Sequence, residues 1–401
     1  MKLASISVGN SPEAPEYVRA SGRVVPDSGA AFDIWFEVPA PLADDLSQTG
    51  NAWLLALLPH ALPNGETVVC DVPVDAELRE NVKGLLAVWR EWYPQFRSPR
   101  IECPVLPAVP DGTAGTRTAA FFSGGVDSWF TVLRNAPELD PGAIGNVDDL
   151  ITVHGFDIPL ELPHEFARLH RTLAQAAQQM GRTSVVVRTN LRRPNTLWAR
   201  GWGWLSHGAG LAAVAHILEK RYRKALIGST HPFGALIPWG SHPMTDALLS
   251  TSRLAVKHDG APFNRVEKTA LIAKHRVALA NLHVCWQNRD ASNCGRCAKC
   301  LRTLTTLHLL GALDVANPFP VRFEPARLSK VFVEDRNEQE FFNEVLALAR
   351  ERDDREVHAA LSQTLRRSRM WRPLLRLAER MHGLPVVWRV GPTMRRWCTG
   401  A

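Results

Sequence analysis

Ala119-Ala120-Phe121-Phe122-Ser123-Gly124-Gly125-Val126-Asp127-Ser128 is the stretch on which the fold turns. Four apolar residues read as a buried strand, the Gly-Gly pair as a tight turn, and Ser128 to about Asn135 as a helix. Adjacent glycines let backbone N–H groups approach a polyanion, and the helix start adds its positive dipole end. The Ser123 and Ser128 hydroxyls can donate further hydrogen bonds. The spacing is not that of a Walker loop. Asp127 beside a phosphate makes sense as a Mg²⁺ contact or as a helix cap.

Outward from this loop the pattern is regular. Leu150–Val153, Ser184–Val187 and Ala225–Gly228 read as further strands. A helix opens at Pro163, carries Phe166, Leu169, Leu173, Ala177 and Met180 on one face, and stops at Gly181. Gly208 to Arg221 reads as another helix. Strands alternating with helices predict an α/β fold, a doubly wound parallel sheet whose ligands lie beyond the strands' carboxyl ends. Residues 1–115 read as a small mixed α/β domain, with a strand at Phe32–Val38 and a helix capped by Asp75 and reaching Trp92. Pro104 to Gly115 resembles a linker. Residues 313–401 turn helical and basic, with Asp335 and Asp354 as caps and a last helix from Trp371 to His382, ended by Gly383.

With 401 residues, 45% hydrophobic and 22% charged, the composition excludes a disordered chain or a disulfide miniprotein. The longest apolar run, Ala52 to Leu58, is far short of the roughly 20 residues of a membrane span. No secretory pattern opens the chain, so no membrane association and a cytoplasmic location are expected. The net charge of +7 is local: from Leu365 onward nine arginines face one acid, which leaves the rest nearly neutral. That tail reads as a solvated helix face, or as contact for an acidic protein or nucleic-acid backbone.

Four of the seven cysteines, Cys285, Cys294, Cys297 and Cys300, fall within 16 residues. Four thiolates complete a tetrahedral Zn²⁺ shell, which implies a structural metal, and Gly295 allows the knuckle. A ferredoxin-type cluster would need a cysteine where Leu304 stands.

The hexapeptide Ser123–Ser128 resembles the signature of the PP-loop ATP pyrophosphatase superfamily. The Cys-x8-Cys-x2-Cys-x2-Cys order is similar to the ending of its 7-cyano-7-deazaguanine synthase branch, of the queuosine-precursor pathway. The resemblance covers residues 116–312, with extra regions on either side. It implies a PP-loop (HUP-like) domain with a zinc knuckle that binds ATP and Mg²⁺ and adenylates a carboxylate. Ser123, Gly124, Gly125, Val126, Asp127 and Ser128 would then contact ATP and pyrophosphate, with Gly228 and Ser229 beside the nucleotide. Lys268 would neutralise charge at the α-phosphate, so Ser123, Asp127, Ser128 and Lys268 are the expected catalytic residues. The implied substrates are a small carboxylate, 7-carboxy-7-deazaguanine or a related acid, and ammonia or an amine.

Two other readings stand beside this one. A PP-loop tRNA thiolase or sugar amidotransferase would need a sulfur-carrying cysteine for the former, with Cys70, Cys103 and Cys398 left over. A non-catalytic nucleotide- or nucleic-acid-binding scaffold would draw on the basic tail. His231, His242 and Asp246 lie in a segment, Thr230 to His258, read as a lid or substrate wall; singly they read as structural or surface groups. Trp198, Trp202 and Trp204 read as core rather than as a stacking platform, and His154 as a satisfied buried histidine.

Overall fold

The computed structural model describes residues 1–106, 115–287, 292–313 and 317–380, of which 374–380 only as backbone. In chain order the strands are β1 Lys2–Asn10, β2 Tyr17–Val25, β3 Phe32–Pro39, β4 Val68–Cys70, β5 Val74–Asp75, β6 Ile101–Glu102, β7 Val105–Leu106, β8 Arg117–Phe121, β9 Asp149–His154, β10 Thr183–Thr189, β11 Tyr222–Gly228 and β12 Ala255–Asp259. The α-helices are α1 Asn51–Ala61, α2 Ala76–Trp92, α3 Val126–Arg134, α4 Pro163–Gln179, α5 Leu197–Arg200, α6 His207–Ile217, α7 Arg265–Ala273, α8 Arg276–Ala280, α9 Ala298–Leu309, α10 Arg336–Glu351 and α11 Arg355–Arg380. Among the described residues no helix is long and apolar enough to cross a membrane.

Ten strands form one mostly parallel sheet in the order β12-β11-β8-β9-β10-β3-β2-β1-β4-β6, while β5 and β7 pair separately. The strands β8 to β12 are mutually parallel, and their order reverses at β8. In sheets wound outward both ways from one strand, ligands bind beyond the carboxyl ends at that reversal.

By contacts the chain divides into two units: Met1–Ser123 with Thr131–Pro262, and Gly124–Phe130 with Phe263–Ala401. This cut differs from the sequence segments 1–115, 116–312 and 313–401. The segment Pro104–Gly115 lies largely outside the described residues. The expected N-terminal domain contributes five strands to the large sheet, because β3 pairs antiparallel with β10.

A charge ladder secures that junction. Glu37 on β3 is fully buried, paired with Arg19 of β2 at 2.6 Å and Arg188 of β10 at 3.0 Å, and it accepts a hydrogen bond from Ser11. Glu37 also explains why the alternation of Phe32–Val38 is imperfect: a charge occupies a buried position beside Phe36 and Val38. Trp53 packs edge-on against Phe36, and an added Cβ at Gly22 would lie 2.6 Å from its ring, so β2 needs glycine there. The apolar run Ala52–Leu58 forms α1, buried on all sides as an all-apolar helix must be.

Most sequence-read elements recur within a few residues. Asp75, Asp335 and Asp354 cap α2, α10 and α11 through side-chain oxygens, and Gly181 takes a left-handed φ of 66° just past α4. Two readings change. The segment Thr230–His258 ends in strand β12, and the helix expected to begin at Trp371 is the continuation of α11 from Arg355. Its expected end at His382–Gly383 lies outside the described residues. The basic segment is also less separable than its charge suggested. Arg367 donates to the Ser329 and Val331 carbonyls, Arg372 to Gln339 and Val333, and buried Ser368 accepts from Val333.

Removing one partner of a buried ion network strands the others. Glu37→Gln is therefore expected to lower unfolding free energy by about 3 kcal/mol, read by urea denaturation. A change below about 0.5 kcal/mol, the size typical of an ordinary surface site, would contradict the ladder's role.

Candidate functional site

The strand–turn–helix expected around Ser123 is present. β8 ends at Phe121, Gly124 takes a φ of 78°, and α3 opens at Val126. A positive φ costs an L-residue energy that glycine avoids, and it turns backbone groups into a concave, anion-accepting path. Within the first unit, Ser123 lies three positions beyond Ala120, and Ser229 three beyond Leu226, its partner on β11. Ser229 is buried, its N–H donating to Asp259 at 2.7 Å, and Gly228 pairs with Asp259. Both therefore follow the carboxyl ends of the two strands at the reversal.

Within the second unit, the His283 N–H anchors the Gly124 carbonyl at 2.8 Å. Val126 is a core residue, 2% exposed. Ser128 is also buried, and its hydroxyl donates to the Gly125 carbonyl at 3.0 Å, a bond that ties down the loop.

Asp127 is the centre of an ion-pair cluster. Its Oδ2 accepts from Arg265 at 2.7 Å and its Oδ1 from Lys268 at 3.3 Å. The two cations share a face of α7, one turn apart, and the Asn264–Glu267 capping box fixes where that helix starts. Lys268 is 1% exposed, not the exposed helix lysine of the bland reading, and lies 5.8 Å over the Phe130 ring. Burial pushes the Asp127 carboxyl up, but Arg265 and Lys268 outweigh it and hold it below the usual range. A carboxylate already carrying two cations is a poor ligand for a third, so Asp127 does not fit the expected Mg²⁺ contact; it positions Arg265 and Lys268.

Sequence reading missed two members of this cluster, Arg265 and Arg302. Arg302, on α9, is 4% exposed, and its guanidinium stands 4.4 Å from the Phe341 ring centroid. Arg265 approaches the same ring at 4.7 Å. Burial first, and then the nearby Arg265 charge, bring the Arg302 guanidinium down to about 9. The signal available was spacing: Arg265 stands three before Lys268, and Arg302 two after Cys300.

The four-cysteine cluster forms as expected. The Sγ atoms of Cys285, Cys294, Cys297 and Cys300 lie within 4.8 Å of one another, with Cys294 and Cys300 3.8 Å apart. Bonds of about 2.3 Å in a tetrahedral thiolate site put sulfurs about 3.8 Å apart, so the cluster can hold a metal such as zinc. Gly295 makes the turn at φ 65°, where an added Cβ would fall 2.2 Å from Val321. Buried Asn293 ties the two ligand segments, accepting from Val284 and donating to Leu282 and Pro318.

The remaining candidates pack into their own unit. His154 stacks on Phe166 and meets the Pro159 carbonyl at 3.1 Å. Asp246 accepts from the His242 N–H at 3.0 Å and pairs with His258 Nδ1 at 2.8 Å; His231 is buried as well. Trp198 donates to the Ala56 carbonyl, Trp202 packs on Phe156, and Trp204 stacks on Phe96. Burial pushes the Cys70 thiol up to about 11 and raises that of Cys103, which makes both poor sulfur carriers; Cys398 lies outside the described residues.

Two outcomes are expected. Purified protein should carry about one Zn²⁺ per chain, and Cys297→Ser should be poorly soluble, because metal binding is coupled to folding. Elemental analysis that finds iron, or no metal in well-folded protein, would contradict this. Asp127→Asn should cost about 1–3 kcal/mol at pH 7, since it leaves neighbouring cations without their anion. A depressed carboxyl pKa adds stability above the unfolded value, so the gap to the parent should narrow below about pH 4. A gap independent of pH in chemical denaturation would contradict the ion-pair account. Comparison with protein-family models, with curated proteins and with solved structures finds no match to this chain.

Proposed function

We propose that this chain is an ATP-dependent C–N ligase of the amide-synthase type, which activates a carboxylate by adenylation. The observation that carries the reading is the left-handed glycine turn that opens α3, with an acid in that helix's first turn that pairs with a buried lysine and an arginine. The resemblance to the PP-loop pyrophosphatases supplies the reaction class. A nearly neutral body with a local cluster of cations supports a small anionic substrate over a nucleic-acid track.

In this reading the substrate carboxylate oxygen attacks the α-phosphorus of ATP, and the bond to the β-phosphate bridging oxygen breaks. The Gly124–Gly125 turn holds the departing pyrophosphate through its backbone N–H groups. Lys268 offers its ammonium to charge building on the α-phosphate. Ammonia or an amine then attacks the acyl carbon, loses a proton, and AMP leaves with the electrons of the acyl–oxygen bond. Mg²⁺ would be carried on the phosphate oxygens rather than on Asp127. The four-cysteine knuckle holds a structural Zn²⁺. 7-Carboxy-7-deazaguanine is the first acid to try.

The test is exchange of radiolabelled pyrophosphate into ATP, with a panel of carboxylates that includes this acid. Acid-dependent exchange is expected, falling roughly 10- to 150-fold in Ser123→Ala if one charge-assisted hydrogen bond is fully expressed in the transition state. Formation of ADP and phosphate in place of AMP and pyrophosphate would overturn the reading.

A further inference from the structure

Arg302 is an expensive residue for a fold to keep. A guanidinium presents five donors and stays charged, so a buried one ordinarily faces a carboxylate or a ring of carbonyls. Arg302 is 4% exposed, yet among the described residues no carboxylate lies within ion-pair distance of it, and its Nε is buried without a hydrogen-bond partner. The Nε of Arg265 is likewise buried and unpartnered. Both guanidiniums stand against one aromatic ring, Phe341, at 4.4 and 4.7 Å, so they are held close to each other despite like charge.

The acids nearby make no side-chain ion pair with Arg302. Asp127 serves Arg265 and Lys268. Glu344 accepts the backbone N–H of Arg265 at 3.0 Å, and Glu338 that of Glu334 at 3.4 Å. Glu338 and Glu344 therefore offset the charge of Arg302 and Arg265 only from a distance, whereas Asp127 is in a direct ion pair with this group of cations. Two planar forks on a fixed ring, with a lysine beside them, match the many oxygens of a polyphosphate.

We infer that Arg302, together with Arg265, forms an anion-binding subsite for the pyrophosphate portion of the nucleotide, which adds to the grip of the Gly124–Gly125 turn; the identity of the anion rests on the ligase reading. The same geometry gives the metal knuckle a task. Cys297 is the N-cap of α9 and Cys300 lies in its first turn, so a metal on the four thiolates would fix the helix that carries Arg302.

Pyrophosphate itself is the probe, titrated calorimetrically into the metal-replete full chain, its Arg302→Gln and Arg302→Lys variants, and Arg366→Gln as an exposed control. Saturable binding is expected to weaken by about 10- to 150-fold in Arg302→Gln. Arg302→Lys should recover part of it, and Arg366→Gln should bind as the parent does. Because an unpartnered buried cation opposes folding, Arg302→Gln should also unfold at an equal or higher temperature; a purely structural arginine would lower it. No pyrophosphate binding by the parent, or binding within threefold in Arg302→Gln, would overturn the inference. Exchange into ATP separates the two proposals. Arg302-dependent pyrophosphate binding with ADP as the nucleotide product keeps this subsite and removes the ligase reading. Acid-dependent exchange undiminished by Arg302→Gln does the reverse.

Discussion

One carboxylate paired directly with two cations is the constraint around which this part of the second unit is built. Asp127 enters on the first turn of α3, and Arg265 and Lys268 meet it from α7. Neither cation would be stable there alone, since desolvating an unpaired charge costs several kcal/mol. The pair also explains an odd feature of the sequence, an acid within a loop suited to phosphate. The acid orients the cations, and under the proposed function the cations would add to the loop's attraction for anions.

A similar solution recurs in the first unit with the opposite sign. There a buried glutamate, Glu37, is shared by two arginines on neighbouring strands, and the pairing joins an antiparallel set of strands to a parallel one. The charges differ in completeness. Glu37 has two arginines and a serine hydroxyl, whereas Arg302 has no carboxylate within reach among the described residues. A carboxylate with two arginine partners reads as architecture, and an arginine with no carboxylate partner as a place for a ligand.

Much of this was legible from local pattern. The strand–Gly-Gly–helix stretch, the cysteine spacing and the aspartate caps are short-range features whose chemistry is written in neighbouring residues. The joining of residues 1–106 to the large sheet was not legible, because it depends on Glu37 finding Arg188, far away in sequence. β1 and β2 were missed for a related reason: their exposed faces carry Ser, Gly and Arg, so apolar alternation is weak. Arg265 could have been found from its place one turn before Lys268. Arg302 lay hidden beside the more conspicuous cysteines, and nothing in its local pattern signals burial.

The account rests on Asp127 and the arginines acting as one electrostatic body, and a double-mutant cycle on unfolding free energy measures that directly. Asp127→Asn, Arg302→Gln and the double variant are compared with the parent by urea denaturation at neutral pH. If Asp127 offsets the charge of Arg302, losing it should cost less once Arg302 is neutral, by at least about 0.5 kcal/mol. Effects that add within about 0.3 kcal/mol would mean that the two residues are energetically independent, and would contradict the account.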